Sequence, residues 1–193
     1  MFRSIPNAVV FYPSDAVATE NAVKLAANYQ GTVFIKGGRN THPILYPNEE
    51  EFKIGGSKYI RKSEEDKLTV ISGGAPLFEV IKAADKLKAE GVNLRIVDLF
   101  CIKPVDKALL VEAASATKGL IYVVEDCYYE GNLGETVAYA LKQEKTKMYH
   151  RAVDRVPRSG TAAELYDMFG LSAEKIYAEI KDILSKNWIS KNN

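Results

Sequence analysis

Arg39 follows the apolar run Thr32-Val-Phe-Ile-Lys36 and the pair Gly37-Gly38. A strand ending there brings its guanidinium out at the carboxyl edge of a sheet. That planar fork of donors suits bidentate capture of a phosphate or carboxylate, although a solvated loop arginine fits the same pattern. Glu125 and Asp126 end a second apolar run, Leu120-Ile-Tyr-Val-Val124, and lead into Tyr128, Tyr129 and Gly131-x-x-Gly134. Two carboxylates can do acid–base work, but neighbours on a strand point to opposite sides. Bracing a loop or an interface is therefore favoured over contact with a ligand and over catalysis, and the tyrosines suit an interface. Gly73-Gly74 and Gly131-x-x-Gly134 each follow a strand and precede a helix, where backbone N–H groups attract anions. Neither matches G-x-G-x-x-G or the lysine-bearing P-loop, so a turn needing positive φ is the simpler reading.

The other reactive residues form no constellation. His42 and His150 are far apart, with His150 inside an expected strand. No G-x-S-x-G elbow or metal-ligand spacing is present. Cys101 and Cys127 have neither metal nor redox spacing and read as free thiols in a reducing cytosol. Arg155, Arg158 and Ser159 could bind an anion or stiffen a connector, and the connector is favoured.

The elements that must position these residues follow from periodicity. Asn7–Tyr12 reads as a buried strand, and Ser14 or Asp15 can cap the helix that follows. Ala18, Ala22, Leu25, Ala26 and Tyr29 give that helix one apolar face. With Thr32–Lys36 this makes a βαβ unit, hence parallel strands. Residues 46–65 hold a Glu49–Glu51 run and Gly55-Gly56, and read as a linker with a small hairpin pairing Phe52–Ile54 with Lys58–Arg61. From Leu68 onward strands and helices alternate. Pro76 opens a helix that Gly91 stops, and Thr161-Ala-Ala-Glu164 is a capping box. The class is α/β with a doubly wound, mostly parallel sheet. One helix cannot cover both faces of the amino-terminal pair of strands, so that piece reads as the end of a domain. Its apolar strands near Val9–Phe11 and Val33–Ile35 are expected to be exposed and to seek partners.

The chain has 193 residues with a net charge of +1, which suggests no nucleic-acid partner. No stretch approaches the roughly 20 apolar residues that cross a bilayer, and no signal-peptide core is visible at the amino terminus. A cytoplasmic protein with no membrane partner is expected.

Several long strings carry a resemblance to the transketolases, especially the animal type. They are Met1-Phe-Arg-Ser-Ile-Pro6, Val10-Phe-Tyr-Pro-Ser-Asp15, Ala18-Thr-Glu-Asn-Ala-Val-Lys-Leu-Ala-Ala-Asn28, Asp98-Leu-Phe-Cys-Ile-Lys-Pro104, Ala116-Thr-Lys-Gly119, Val124-Glu-Asp-Cys-Tyr-Tyr-Glu-Gly131, Arg155-Val-Pro-Arg-Ser-Gly160 and Ala163-Glu-Leu-Tyr-Asp-Met-Phe-Gly170. The resemblance spans about residues 1 to 186. It implies ketol transfer between ketose and aldose phosphates in the pentose phosphate pathway, with thiamine diphosphate and a divalent metal (Mg or Ca). It also implies a homodimer whose active sites lie between domains of two subunits.

On that resemblance residues 1–45 are part of a pyrimidine-binding domain and 46–65 the linker or hairpin. Residues 66–186 are a three-layer α/β/α carboxyl-terminal domain, and 187–193 a frayed tail. The family's G-D-G…N motif, its activating glutamate and its substrate histidines find no counterpart here, so no catalytic, cofactor-binding or metal residue is assigned. The family's phosphate-gripping arginine falls on Arg39. Its frame is Lys36-Gly-Gly-Arg-Asn40, where the family often reads Thr-Ser-Arg-Pro or Leu-Ser-Arg-Gln. The expected chain is thus a carboxyl-terminal fragment that is inactive alone and binds no cofactor itself. It would partner another transketolase subunit or the missing amino-terminal portion. One half of a split enzyme and a non-catalytic interaction module are the alternatives.

Overall fold

The computed structural model describes residues 1–189. After a short 3-10 turn at Phe2–Ser4 come β1 (Val9–Phe11), α1 (Ala16–Ala27) and β2 (Val33–Ile35). β1 and β2 pair in parallel with Val10 opposite Phe34, and α1 is the crossover between them. Asp15 caps α1 by accepting from Ala18 N at 2.7 Å. Then follow β3 (Lys58–Arg61), β4 (Thr69–Ser72), α2 (Pro76–Ala89), β5 (Arg95–Asp98), β6 (Cys101–Lys103), α3 (Lys107–Ala116) and β7 (Leu120–Tyr128). The chain finishes with α4 (Leu133–Ala140), β8 (Lys147–Val153), α5 (Ala162–Met168) and α6 (Ala173–Ile189).

The described strands build two sheets, β3-β5-β4-β7-β8 and β2-β1-β6. In the larger one β5, β4, β7 and β8 run parallel and only β3 is antiparallel. β7 shows why this unit has three layers. Ile121 and Val123 join the core under α3 and α4 with Leu110 and Val137, while Tyr122 and Val124 join the core under α2 and α6 with Leu77 and Ile180. All four β7 side chains are fully buried. A strand covered on both faces reads as a continuous apolar run, and each such side chain contributes about 1.5–3 kcal/mol. Pro76 opens α2, and Val92 N closes its last turn on Leu87 O at 2.9 Å beyond Gly91. The capping box at Thr161 and Glu164 is formed.

The hairpin expected across 52–61 does not form. Lys58–Arg61 pairs with β5 instead, Tyr59 opposite Val97. Phe52 is partly buried and packs against the core, meeting Phe100 at 4.8 Å and Tyr46 at 5.1 Å, both edge-on. Its segment is held by side-chain packing and not by a ladder.

β6 has no mark in the sequence pattern. The chain leaves the larger sheet at Asp98 and by Cys101 runs antiparallel to β1 in the smaller one, Phe11 opposite Cys101. Tyr12 N donates to Phe100 O at 2.7 Å. β1 is thereby a central strand, with Val9, Val10 and Phe11 exposed by only 1%, 5% and 0%. This corrects the expectation of an exposed strand at 9–11. Ala22 of α1 packs in the core on one side. Phe2 and Phe34, stacked at 4.1 Å, pack with Val10 and Ile102 in another. β2 is an edge strand and half-buried. α6 continues to Ile189, and the rest of the tail expected to fray, 190–193, lies outside the described residues. No described helix is long and apolar enough to cross a membrane.

Candidate functional site

β2 ends at Ile35, and the chain turns from Lys36 through Gly37-Gly38 to Arg39. Arg39 is exposed and makes no hydrogen bond or ion pair with a described residue. Its chain neighbours Gly38 and Asn40 line a crevice of about 320 Å³ together with Ser14, Thr19 and His42, whereas Arg39 is not among the lining residues. His42 stacks on Phe78 with ring centroids 4.7 Å apart, and its Nε2 is buried without a partner. It also borders a crevice of about 490 Å³ with Glu79, Lys82 and Tyr166.

Beneath this loop lies a polar seam between the two sheets. Ser14 Oγ accepts from Gly74 N at 2.9 Å and donates to Asp98 Oδ1 at 2.9 Å. Tyr46 Oη donates to Asp98 Oδ2 at 2.7 Å. Asp15 Oδ2 accepts from Leu45 N and Tyr46 N, at 2.7 and 3.0 Å. Asp98 is fully buried. Burial pushes its carboxyl up to about 7, against the two hydroxyl donors, and the nearby Asp15 adds to the rise. Desolvation also raises the Tyr46 hydroxyl, with Asp98 adding to it.

The two carboxylates of β7 diverge, as their spacing predicts. Glu125 is fully buried and accepts from Leu133 N at 3.1 Å and Gly134 N at 2.7 Å, at the start of α4. Its Oε1 also lies 2.8 Å from His150 Nε2 on β8. Asp126 turns to the smaller sheet, accepting from Tyr12 Oη at 2.8 Å and Lys36 Nζ at 2.6 Å. Burial raises the Tyr12 hydroxyl, reinforced by Asp126. For Lys36 burial lowers the ammonium, but Asp126 and Cys127 outweigh it and hold it above its ordinary value.

At both glycine turns, N–H groups at the helix start already have side-chain acceptors. The N–H of Gly74 is held by Ser14, and the N–H groups of Leu133 and Gly134 by Glu125. The diphosphate-bearing cofactor that the resemblance implies finds no cradle of that kind here. No described group of three His, Cys, Asp or Glu side chains is placed to hold a metal. The described residues do not fit that cofactor. Arg155 pairs with Asp154 at 3.0 Å and lies over Phe169, as suits a connector, and Arg158 is exposed.

Sequence reasoning singled out Arg39, Glu125 and Asp126 but missed Asp98, Tyr46 and Lys36. Asp98 did carry a signal: it is the polar last residue of an apolar strand, at the carboxyl edge where α/β proteins place their ligands.

The family described as Transketolase, C-terminal domain matches residues 57–176. Transketolase of Homo sapiens is 48% identical over 187 residues, which is 96% of this chain and 30% of the human protein. Transketolase-like protein 2 of Mus musculus is 50% identical over the same shares. The chain thus spans about 30% of the length of these curated relatives. A solved split gene transketolase, described as an inactive beta4 tetramer, is 32% identical with a TM-score of 0.86, over 95% of this chain and 59% of that one. Transketolase from Campylobacter jejuni, at 21% identity and a TM-score of 0.67 over 94% of this chain and 27% of that one, shares the fold.

Proposed function

The chain belongs to the transketolase C-terminal domain family, and from that premise we propose that it is the carboxyl-terminal part of a transketolase, contributing to ketol transfer between ketose and aldose phosphates. The observation that carries this reading is the extent of the likeness. It covers 96% of the chain, so it includes β1, α1, β2 and Arg39, outside the matched family domain. Arg39 is the residue that touches substrate. Its exposed guanidinium, on a loop whose neighbouring residues Gly38 and Asn40 line a crevice, holds the sugar phosphate through paired charge-assisted hydrogen bonds. Lys36, at the start of that loop, is tied to Asp126 of the larger sheet at 2.6 Å.

Thiamine diphosphate and a divalent metal supply the carbanion chemistry in this family, and they are held by portions of the enzyme other than this chain. The chain alone is therefore catalytically incompetent and works in a dimer or with an amino-terminal portion. Its two cysteines, both free, accord with a cytoplasmic setting. A second reading, one half of a split transketolase, draws on the likeness to the split gene structure.

The test is an assay with xylulose 5-phosphate, ribose 5-phosphate, thiamine diphosphate and magnesium. The expected result is no turnover by the chain alone, and turnover once a transketolase amino-terminal portion is added. Turnover by the chain alone sinks the assignment of the cofactor to another portion. Absence of any gain on mixing removes the split-enzyme reading.

A further inference from the structure

Lys36 Nζ lies 3.0 Å from Cys127 Sγ and 2.6 Å from Asp126 Oδ1. Lys36 sits just past the end of β2, and Cys127 sits in β7 of the larger sheet. Neither cysteine is in a disulfide. Cys101 is buried and hydrogen-bonded to Gly55 N, whereas Cys127 is half-buried, so a small solute reaches Cys127 and not Cys101. A primary amine within van der Waals distance of an accessible thiol, with a carboxylate to relay its proton, is the set of groups that an oxidised sulfur needs for capture by nitrogen.

We propose that Lys36 and Cys127 form a peroxide-dependent covalent cross-link, a sulfenamide that joins the end of β2 to β7. In the first step the thiol takes one oxygen from a peroxide and becomes a sulfenic acid, and the peroxide is reduced to water or an alcohol. In the second step Lys36 passes a proton to Asp126, and its nitrogen lone pair attacks Sγ. The N–S bond forms as the S–O bond breaks. The hydroxyl leaves as water with the proton from Asp126, and the remaining ammonium proton goes to solvent. Sulfur has then lost two electrons to the peroxide. The linked pair carries two hydrogens fewer than the thiol and free amine.

Two features keep the resting protein unlinked. Burial holds the Cys127 thiol above its ordinary value, with Lys36 opposing, so little thiolate is present. Asp126 keeps Lys36 protonated. The link therefore belongs to oxidising conditions. It ties down Lys36, which precedes the Gly37-Gly38-Arg39 loop and whose ammonium already lies over the Tyr12 ring at 3.9 Å.

The experiment treats the full chain with hydrogen peroxide, digests it and reads the peptides by mass spectrometry. The expected product is a linked pair joining Lys36 to Cys127, two hydrogens lighter than its parts and released by excess dithiothreitol. It is absent from Cys127→Ser and from Lys36→Arg, which keeps the charge beside Asp126 but lacks the amine. Circular dichroism verifies that both variants are folded. Recovery of Cys127 only as a thiol, as sulfinic or sulfonic acid, or in a disulfide between chains overturns the proposal. So does a linked pair that persists in Lys36→Arg.

Discussion

Gly74 and Tyr12 are packed so closely that a Cβ on the glycine would overlap the tyrosine ring. The two residues come from different sheets' connections, and their contact lets Ser14 reach Gly74 N. Gly74 also has φ of +61°, a region costly for any residue with a side chain. Gly74→Ala is expected to destabilise the fold by about 2–4 kcal/mol through overlap and backbone strain together. Urea unfolding measures this. A midpoint equal to that of the parent would contradict the contact.

Asp98 makes stability fall with rising pH. Its carboxyl titrates at about 7 in the folded chain, well above the ordinary 3.8, so between these values the folded form holds more protons than the unfolded one. The favourable contribution is complete below about pH 4 and is lost as pH rises through 7. Asp98→Asn removes that titration. Its stability between pH 4 and 7 is expected to slope less steeply, with a difference on the order of 2–4 kcal/mol developed across the interval. Parallel curves of unfolding free energy against pH for the two proteins would refute this.

Glu125 satisfies two N–H groups of α4 and one histidine nitrogen, all at a fully buried position. Glu125→Ala strands these partners and is expected to cost about 3 kcal/mol. Thermal and chemical denaturation read the loss. A second effect is specific to the site: amide exchange at Leu133 and Gly134 speeds up more than exchange in α2.

Arg39 supports nothing in the fold. Arg39→Ala is expected to change unfolding free energy by less than about 0.5 kcal/mol. In an active assembly with the rest of a transketolase it is expected to lower kcat/KM for sugar phosphates by roughly 10–100-fold, the worth of one charge-assisted pair. Arg39→Lys restores only part of this, because a point charge replaces a fork. Unchanged kcat/KM in Arg39→Ala would remove the phosphate-binding role.

β2 is the half-buried edge of the smaller sheet, whereas β4 and β7 are central and buried. Amides of Val33–Ile35 are therefore expected to exchange through local opening, and those of Val70 and Val123 only on global unfolding. Native-state hydrogen exchange distinguishes the two, and equal protection would argue against a weaker amino-terminal unit.

What could be read in the sequence was what is local. The Thr161–Glu164 box, Pro76 at a helix start and the apolar run of β7 each carry their cause within a few residues. β6 does not, because Cys101–Lys103 is a strand only through pairing with β1, some ninety positions earlier. Lys58–Arg61 alternates like a hairpin arm, but nothing in it names β5 as its mate. The exposed position of Arg39, though not its role, was legible because a strand followed by glycines has a predictable exit. The Ser14–Asp98–Tyr46 seam was not, since three separate segments meet there with no fixed spacing between them.

β6 belongs by chain order to one unit and by hydrogen bonding to the other. A cut or a graft placed between the sheets, near residue 57 where the family domain begins, would strip β1 of its neighbour and turn the centre of the smaller sheet into a bare rim. A recombinant that exchanged either part would therefore need a matching Cys101–Lys103, or leave behind a sticky remnant.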